Sequence, residues 1–437
     1  MSKNSIYKGE IWHITKNPFF AQDKESCLEV ISDGALVVDH KGIILDIGKA
    51  PKVQKRFPGS KIQNYKNSLI IPGFIDTHLH FPQLDVIGSF GTQLLEWLET
   101  YTFPEEVKYT DTKLVKKMAS VFIDELFSNG ITSAMVYGSS SMVSVEHLFQ
   151  EALKRHIRLI AGKVSMDRNA PKKLLIKADQ DFEETQALIR KWHGKENRLF
   201  YVLTPRFAPT STEKLLSRLE ELKSLYPDVY IQTHHAESKQ EIAWVHSLFP
   251  KHKGYLSIYD SFNLLGSKTF LAHSIHVNKK DLDRIKCTKT NIAHCPSSNL
   301  FLGSGLFPLD LFVKRKIPLT LGSDIGGGTS LSPWKTMAEA YKVQQLRGKT
   351  LCPEELFYLA TLGGAEALNF SPSTGNFVRG KAADFQIIDP SKINLIKRRF
   401  ELTDSARKRL FAMIILGDER LVKELFIQGK RVYRAKS

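Results

Sequence analysis

The stretch Ile70 to Gln83 reads I-I-P-G-F-I-D-T-H-L-H-F-P-Q, and the reading of the whole chain turns on it. An apolar run breaks at Pro72-Gly73, resumes at Phe74-Ile75 and ends on two histidines, His78 and His80. Residues two apart on a strand share a face, so both imidazoles can converge on one point. Convergent imidazoles are what a metal site requires. The same pair also occurs on strands that bind nothing, so the residues downstream must decide.

From residue 73 the pattern alternates between apolar strand and amphipathic helix. Candidate strands are 74–80, 131–137, 158–166, 199–207, 229–237, 269–274, 291–295 and 317–324. Helical patterns lie between them at 113–128, 146–155, 182–192 and 213–225. Eight such strands predict an α/β chain folded as a (β/α)8 TIM-like barrel over 73–370, with a doubly wound open sheet as the alternative. Residues 1–72 and 371–437 read instead as short extended segments, with D-H-K-G (39–42) as a hairpin turn. Neither end is long enough to make a stable domain unaided, so the two are expected to combine as one β-sandwich beside the barrel.

Composition excludes several classes. With 42% hydrophobic and 25% charged residues the chain reads as an ordinary globular protein. No apolar stretch approaches the roughly 18 residues of a membrane span, and the first residues lack the apolar segment of a secretory signal, which predicts a cytoplasmic protein without a membrane partner. Four cysteines without C-x-x-C spacing argue against a disulfide framework and a thiolate zinc site. The net charge is +16, but residues 371–437, with 15 basic and 7 acidic side chains, carry half of it. No zinc finger, RNA-recognition signature or aromatic-basic interleaving accompanies that surplus, so a solvated basic face is expected and no nucleic-acid partner.

The unusual polar residues fall at the C-terminal ends of the candidate strands: His78 and His80 on the first, Arg206 on the fourth, His234 and Glu237 on the fifth, His273 on the sixth and Asp324 on the eighth. That rim is where barrels of this kind carry their active sites. Each residue alone has a plain structural reading, as a core histidine, a helix cap or a rim ion pair. Together, three imidazoles and a carboxylate supply the ligand set and open position of a catalytic Zn2+ or Fe2+.

In these residues the chain resembles the amidohydrolase superfamily, through P-G-F-I-D-T-H-L-H (72–80), Q-T-H-H-A-E (232–237), L-A-H-S (271–274) and L-G-S-D (321–324). More narrowly, H-F-P-Q (80–83), L-L-E-W-L-E-T-Y-T-F-P-E-E (94–106), T-P-R-F (204–207), A-H-C-P-S-S-N (293–299) and A-T-L-G-G-A-E-A-L (360–368) resemble the guanine deaminase family. The resemblance implies one Zn2+ per chain, with Fe2+ as the alternative, held by His78, His80, His234 and Asp324. It implies Glu237, His273 and Asp324 as catalytic residues, and Gln83, Arg206, Phe207, Glu237 and Trp97 as contacts to a small purine. The implied reaction is hydrolysis of guanine to xanthine and ammonia by a homodimer. A related aminohydrolase acting on 8-oxoguanine, a nucleoside or a triazine is the alternative.

The chain departs from the family pattern at Ser274 and Ser323, where glycine and threonine are usual. His235 is a second candidate ligand beside His234, but T-H-x-x-E spacing to Glu237 favours His234. The fourth strand lacks the lysine that bridges two metals in binuclear members, which favours one metal; Lys163 on the third strand is expected at the rim or in a salt bridge. The other zinc deaminase signature, H-x-E followed by P-C-x-x-C, is matched only in its first half by His235 and Glu237 and is rejected.

Overall fold

The computed structural model describes residues 4–91 and 93–436. Residues 1–3, 92 and 437, which fall within the expected segments, lie outside them. The chain forms sixteen named strands among the described residues: β1 (Ser5–Ile14), β2 (Leu28–Val38), β3 (Ile44–Lys49) and β4 (Lys61–Pro72), then β5 (Phe74–His80), β6 (Ile131–Tyr137), β7 (Arg158–Gly162), β8 (Val164–Ser165), β9 (Leu199–Pro205), β10 (Tyr230–His235), β11 (Thr269–His273), β12 (Asn291–His294) and β13 (Leu319–Leu321), and finally β14 (Phe385–Ile388), β15 (Val422–Ile427) and β16 (Lys430–Arg434).

Strands β5, β6, β7, β9, β10, β11, β12 and β13 pair in that order, all parallel, with β8 a short extension on β9. The expected strand over 158–166 is thus two pieces broken at Lys163. Backbone bonds bring the last strand back to the first: Asp324 N–H donates to the His78 carbonyl at 2.8 Å and His80 N–H to the Ile325 carbonyl at 2.7 Å. The eight strands therefore form the expected barrel.

Helices cover it as their periodicity predicts. The helix Thr112–Ser128 starts where the Asp111 side chain accepts from the Lys113 and Leu114 amides, and it buries Val115, Met118, Phe122 and Leu126 at three- to four-residue spacing. Inside the barrel, Ile75, Met135, Ile160, Val202, Tyr230 and Phe270 pack on Leu368 and Phe370 and fill the N-terminal mouth. Polar side chains are left to the opposite mouth.

The two chain ends meet in one seven-stranded sheet, ordered β16-β15-β14-β4-β1-β2-β3 and antiparallel except where β1 runs parallel to β4. Three strand spacings, about 14 Å in a flat sheet, separate β1 from β15. The Tyr7 and Phe426 rings nevertheless lie 5.1 Å apart, and Tyr7 donates to the Gly429 carbonyl at 2.8 Å. The sheet therefore curls over an apolar interior of Tyr7, Ile11, Ile70, Phe385 and Phe426. The expected sandwich thus takes the form of a single sheet bent on itself.

At Pro72-Gly73 the chain leaves this sheet for the barrel. A Cβ on Gly73 would lie 2.2 Å from the Thr132 hydroxyl, so only glycine lets the two bodies approach. Beside the joint, Asp384 accepts from Arg198, just before β9, at 3.0 Å and from the Gln428 amide at 2.9 Å, with both charged side chains buried. No helix of the described residues is long and apolar enough to cross a membrane. Asp384→Ala strands the Arg198 charge, and the expected loss of stability is about 3 kcal/mol, measured as a lowered denaturant midpoint against the parent protein.

Candidate active site

The first barrel strand is not regular. Its register against β6 shifts between Asp76 and Leu79, and the buried Asp76 carboxylate accepts from the His78 amide at 3.1 Å and the Ser323 amide at 3.1 Å. This bulge re-aims the two histidines while Asp76 satisfies the N–H groups it frees. Burial pushes the Asp76 carboxyl up to about 6.

His78 Nε2 and His80 Nε2 lie 3.1 and 3.3 Å from Asp324 Oδ1, and His234 Nε2 lies 3.3 Å from His80 Nε2. The four ligand atoms of His78, His80, His234 and Asp324 all fall within 4.8 Å of one another. In a tetrahedral site with bonds near 2.0–2.1 Å, ligand atoms are about 3.3 Å apart, so the donor set fits a divalent ion. Burial lowers all three imidazoles, His80 to about 3, which leaves them neutral with lone pairs free. Burial alone would raise Asp324, but the surrounding imidazoles hold its carboxyl well below the usual range. His234 Nδ1 pairs with the Arg206 carbonyl at 2.7 Å, which directs Nε2 at the cluster.

Strand alternation turns His235 the other way. Its Nδ1 meets Ser274 Oγ at 3.0 Å and its ring packs 5.0 Å from Tyr255. The departure at Ser274 gains a role here: φ of 48° is a conformation that suits glycine, and the serine hydroxyl adds the His235 contact. Ala236, His273 and Asp324 also have positive φ, so the strand ends turn sharply as they deliver these side chains. Lys163 Nζ is held by Asp181 at 2.6 Å and Glu184 at 3.1 Å, in the salt bridge expected of it.

His273 and Glu237 face the same point. His273 Nε2 stands 3.4 Å from Glu237 Oε2 and 3.7 Å from Asp324 Oδ2, and its Nδ1 is paired with Asn299 Oδ1 at 2.8 Å. Burial and the Asp324 charge push Glu237 up to about 8, although Ser304 Oγ donates to its Oε1 at 3.0 Å. A carboxyl that exchanges its proton near neutrality, beside a metal-type ligand set, is suited to general acid and base work.

These groups open on a cavity lined also by Gln83, Trp97, Arg206 and Phe207, with Leu94, Leu98 and Leu302 as apolar walls. Gln83 Oε1 accepts from the Gly326 amide at 3.1 Å and its Nε2 donates to Glu106 Oε1 at 2.9 Å. Arg206 Nη1 meets both Glu106 oxygens, at 2.7 and 2.8 Å, and its guanidinium lies over Phe103, 5.3 Å from the ring centre. Tyr101 is only half-buried. Sequence reasoning brought every named site residue to this mouth but gave no role to Asp76, Asn299, Ser304 or Glu106. Glu106 had the clearest signal, an acidic pair after F-P in a segment otherwise rich in apolar residues.

Comparison with known proteins agrees with this geometry. Residues 69–432 match the model of the amidohydrolase family. The guanine deaminase of Escherichia coli K12 is 42% identical over 98% of this chain and 97% of its own. A solved E. coli guanine deaminase superposes with a TM-score of 0.95 at 40% identity, covering both chains fully. The guanine deaminase of C. acetobutylicum with guanine in its active site gives a TM-score of 0.90 at 32% identity, covering 99% of this chain and all of that one.

Elemental analysis after purification without chelators is expected to find about one divalent ion per chain, falling at least about tenfold in occupancy in His234→Ala and Asp324→Ala. His235→Ala is expected to retain the metal, and its loss there would exchange the roles of the two histidines.

Proposed function

The chain belongs to the amidohydrolase family, and we propose that it is a zinc-dependent hydrolase that converts guanine to xanthine and ammonia. One observation carries this reading: a metal-type ligand set, a buried carboxyl that titrates near neutrality and a cavity with convergent donors share a single barrel mouth, in a chain alike over its whole length to guanine deaminases.

A zinc ion held by His78, His80, His234 and Asp324 would lower the pKa of a coordinated water toward neutrality. The chain's own groups do the rest. Glu237 takes a proton from the attacking water and gives it to the ring nitrogen beside the amino-bearing carbon, which makes that carbon electrophilic. Burial favours its protonated form, which suits it to carry that proton. His273 Nε2 and Asp324 Oδ2, 3.7 Å apart, orient the water. The new C–O bond forms as the ring nitrogen is protonated; the added hydroxyl then gives up its remaining proton through Glu237 to the amino group, the carbonyl forms, the C–N bond breaks, and ammonia leaves. Arg206 and Gln83 supply donors to the purine carbonyl and ring edge, and Phe207 lies along the ring face. Leu94, Trp97, Leu98 and Leu302 keep bulk water from the reacting carbon. The same reading makes the protein a cytoplasmic homodimer, on the family resemblance alone.

An ammonia-release screen over guanine, 8-oxoguanine, adenine, cytosine and their nucleosides tests this. Guanine is expected to be the best substrate, and Glu237→Gln to lower kcat by about 100-fold or more at unchanged metal content. Turnover of another base but not of guanine overturns the substrate assignment, and turnover that survives Glu237→Gln overturns the proton path.

A further inference from the structure

Among the groups around the cavity, Glu106 touches none of the candidate metal ligands and comes from no strand end. On the guanine reading above, we propose that Glu106 is the positioning residue for specificity: its carboxylate sets the direction in which Arg206 and Gln83 present donors to the carbonyl edge of a 6-oxopurine.

The geometry is closed on the protein side. Glu106, Arg206 and Gln83 are all 1–2% exposed. Glu106 Oε1 accepts from both Arg206 Nη1 and Gln83 Nε2, and Oε2 accepts from Nη1 again. The Gln83 amide is held at its other end by the Gly326 N–H. Turned over, that amide would set its oxygen against the Glu106 carboxylate and its NH2 against the Gly326 N–H, so one orientation survives. Its second N–H is free of this pairing. Arg206 uses one of its nitrogens on Glu106, and among the described residues neither Nε nor Nη2 has a side-chain or carbonyl acceptor, while the residue lines the cavity. What the cavity receives is therefore a set of donors in fixed directions.

The segment that carries Glu106 is built for this placement. The helix after β5 runs Leu94–Trp97, widens into a π-type turn over Leu98–Thr102 and continues as Phe103–Val107. Phe103 and Glu106, three residues apart, share one helix face, and both reach Arg206, one under its plane and one at its tip. A buried donor set of this kind rewards a carbonyl and penalises an amine in its place, because the amine leaves donors unpaired. A neutral carboxamide at 106 offers one acceptor atom where the carboxylate offers two, and it lets the Gln83 amide turn over.

The test uses the metal-loaded enzyme, with guanine turnover and with hypoxanthine and adenine, which differ by carbonyl against amine, as competitive inhibitors. Glu106→Gln is expected to raise the guanine KM about tenfold or more, with kcat changed less than about threefold and metal content unchanged. The preference for hypoxanthine over adenine is expected to fall at least about tenfold, and Glu106→Asp, which keeps the charge but reaches one partner, to recover part of it. Unchanged KM and inhibitor preference in Glu106→Gln overturn the inference, as does a loss confined to kcat or metal content. Should Glu106→Gln not fold, Glu106→Asp decides alone: an inhibitor preference equal to the parent's overturns the inference and a narrowed one supports it. Absence of guanine turnover in the parent protein would sink the guanine reading instead, and parent turnover with an indifferent position 106 would sink only this inference.

Discussion

The structure depends on how its barrel closes. Two backbone bonds join the last strand to the first, from Asp324 N–H to the His78 carbonyl and from His80 N–H to the Ile325 carbonyl. The residues that make these bonds also bear three of the four candidate ligands. Closure therefore sets the ligand spacing, and the 3.1 and 3.3 Å separations of the two imidazoles from Asp324 follow from a constraint the fold must satisfy anyway. The bulge at Asp76 belongs to the same device, since its carboxylate bonds the amides of both His78 and Ser323. A site made this way needs no flexible loop to assemble it.

Burial then does opposite things to different groups. It strips protons from His78, His80 and His234 and pushes one onto Glu237, because in each case the charged form loses its hydration. Arg206 is paired with Glu106, and Lys163 with Asp181 and Glu184. One low-dielectric mouth thus holds neutral ligands, an exchangeable proton and a fixed cation side by side.

Much of this was legible in the sequence because strand ends are short-range objects. The histidine pair, T-H-x-x-E and the final aspartate each follow an apolar run; alternation turns only one of His234 and His235 inward, and the spacing to Glu237 selects His234. Other features depend on contacts distant in sequence. Asp76 reads as one more residue of a strand until Ser323, 247 residues away, is seen to donate to it. Glu106 and Arg206 are 100 residues apart, and nothing local marks them as a pair. The sandwich was inferred from two separate sets of short strands; that they form one curled sheet rests on the Tyr7 and Phe426 contact, which no pattern of alternation encodes.

The division of labour at the mouth has a consequence for how such a site can vary. The candidate metal ligands come from β5, β10 and the turn after β13, held by the barrel's hydrogen bonds, and Glu237 follows β10, its amide donating to Glu241. Leu94, Trp97, Leu98, Phe103 and Glu106 come from one helical segment after β5, and it meets the strand ends through side chains: Glu106 on Arg206 and Gln83, and Phe103 on Arg206. Changes in that segment can alter which donors face the cavity without moving a ligand atom. The candidate ligand cluster and the donors that line the cavity are therefore carried by mechanically separable elements, and Arg206 is where they meet: its carbonyl orients His234 while its guanidinium faces the cavity.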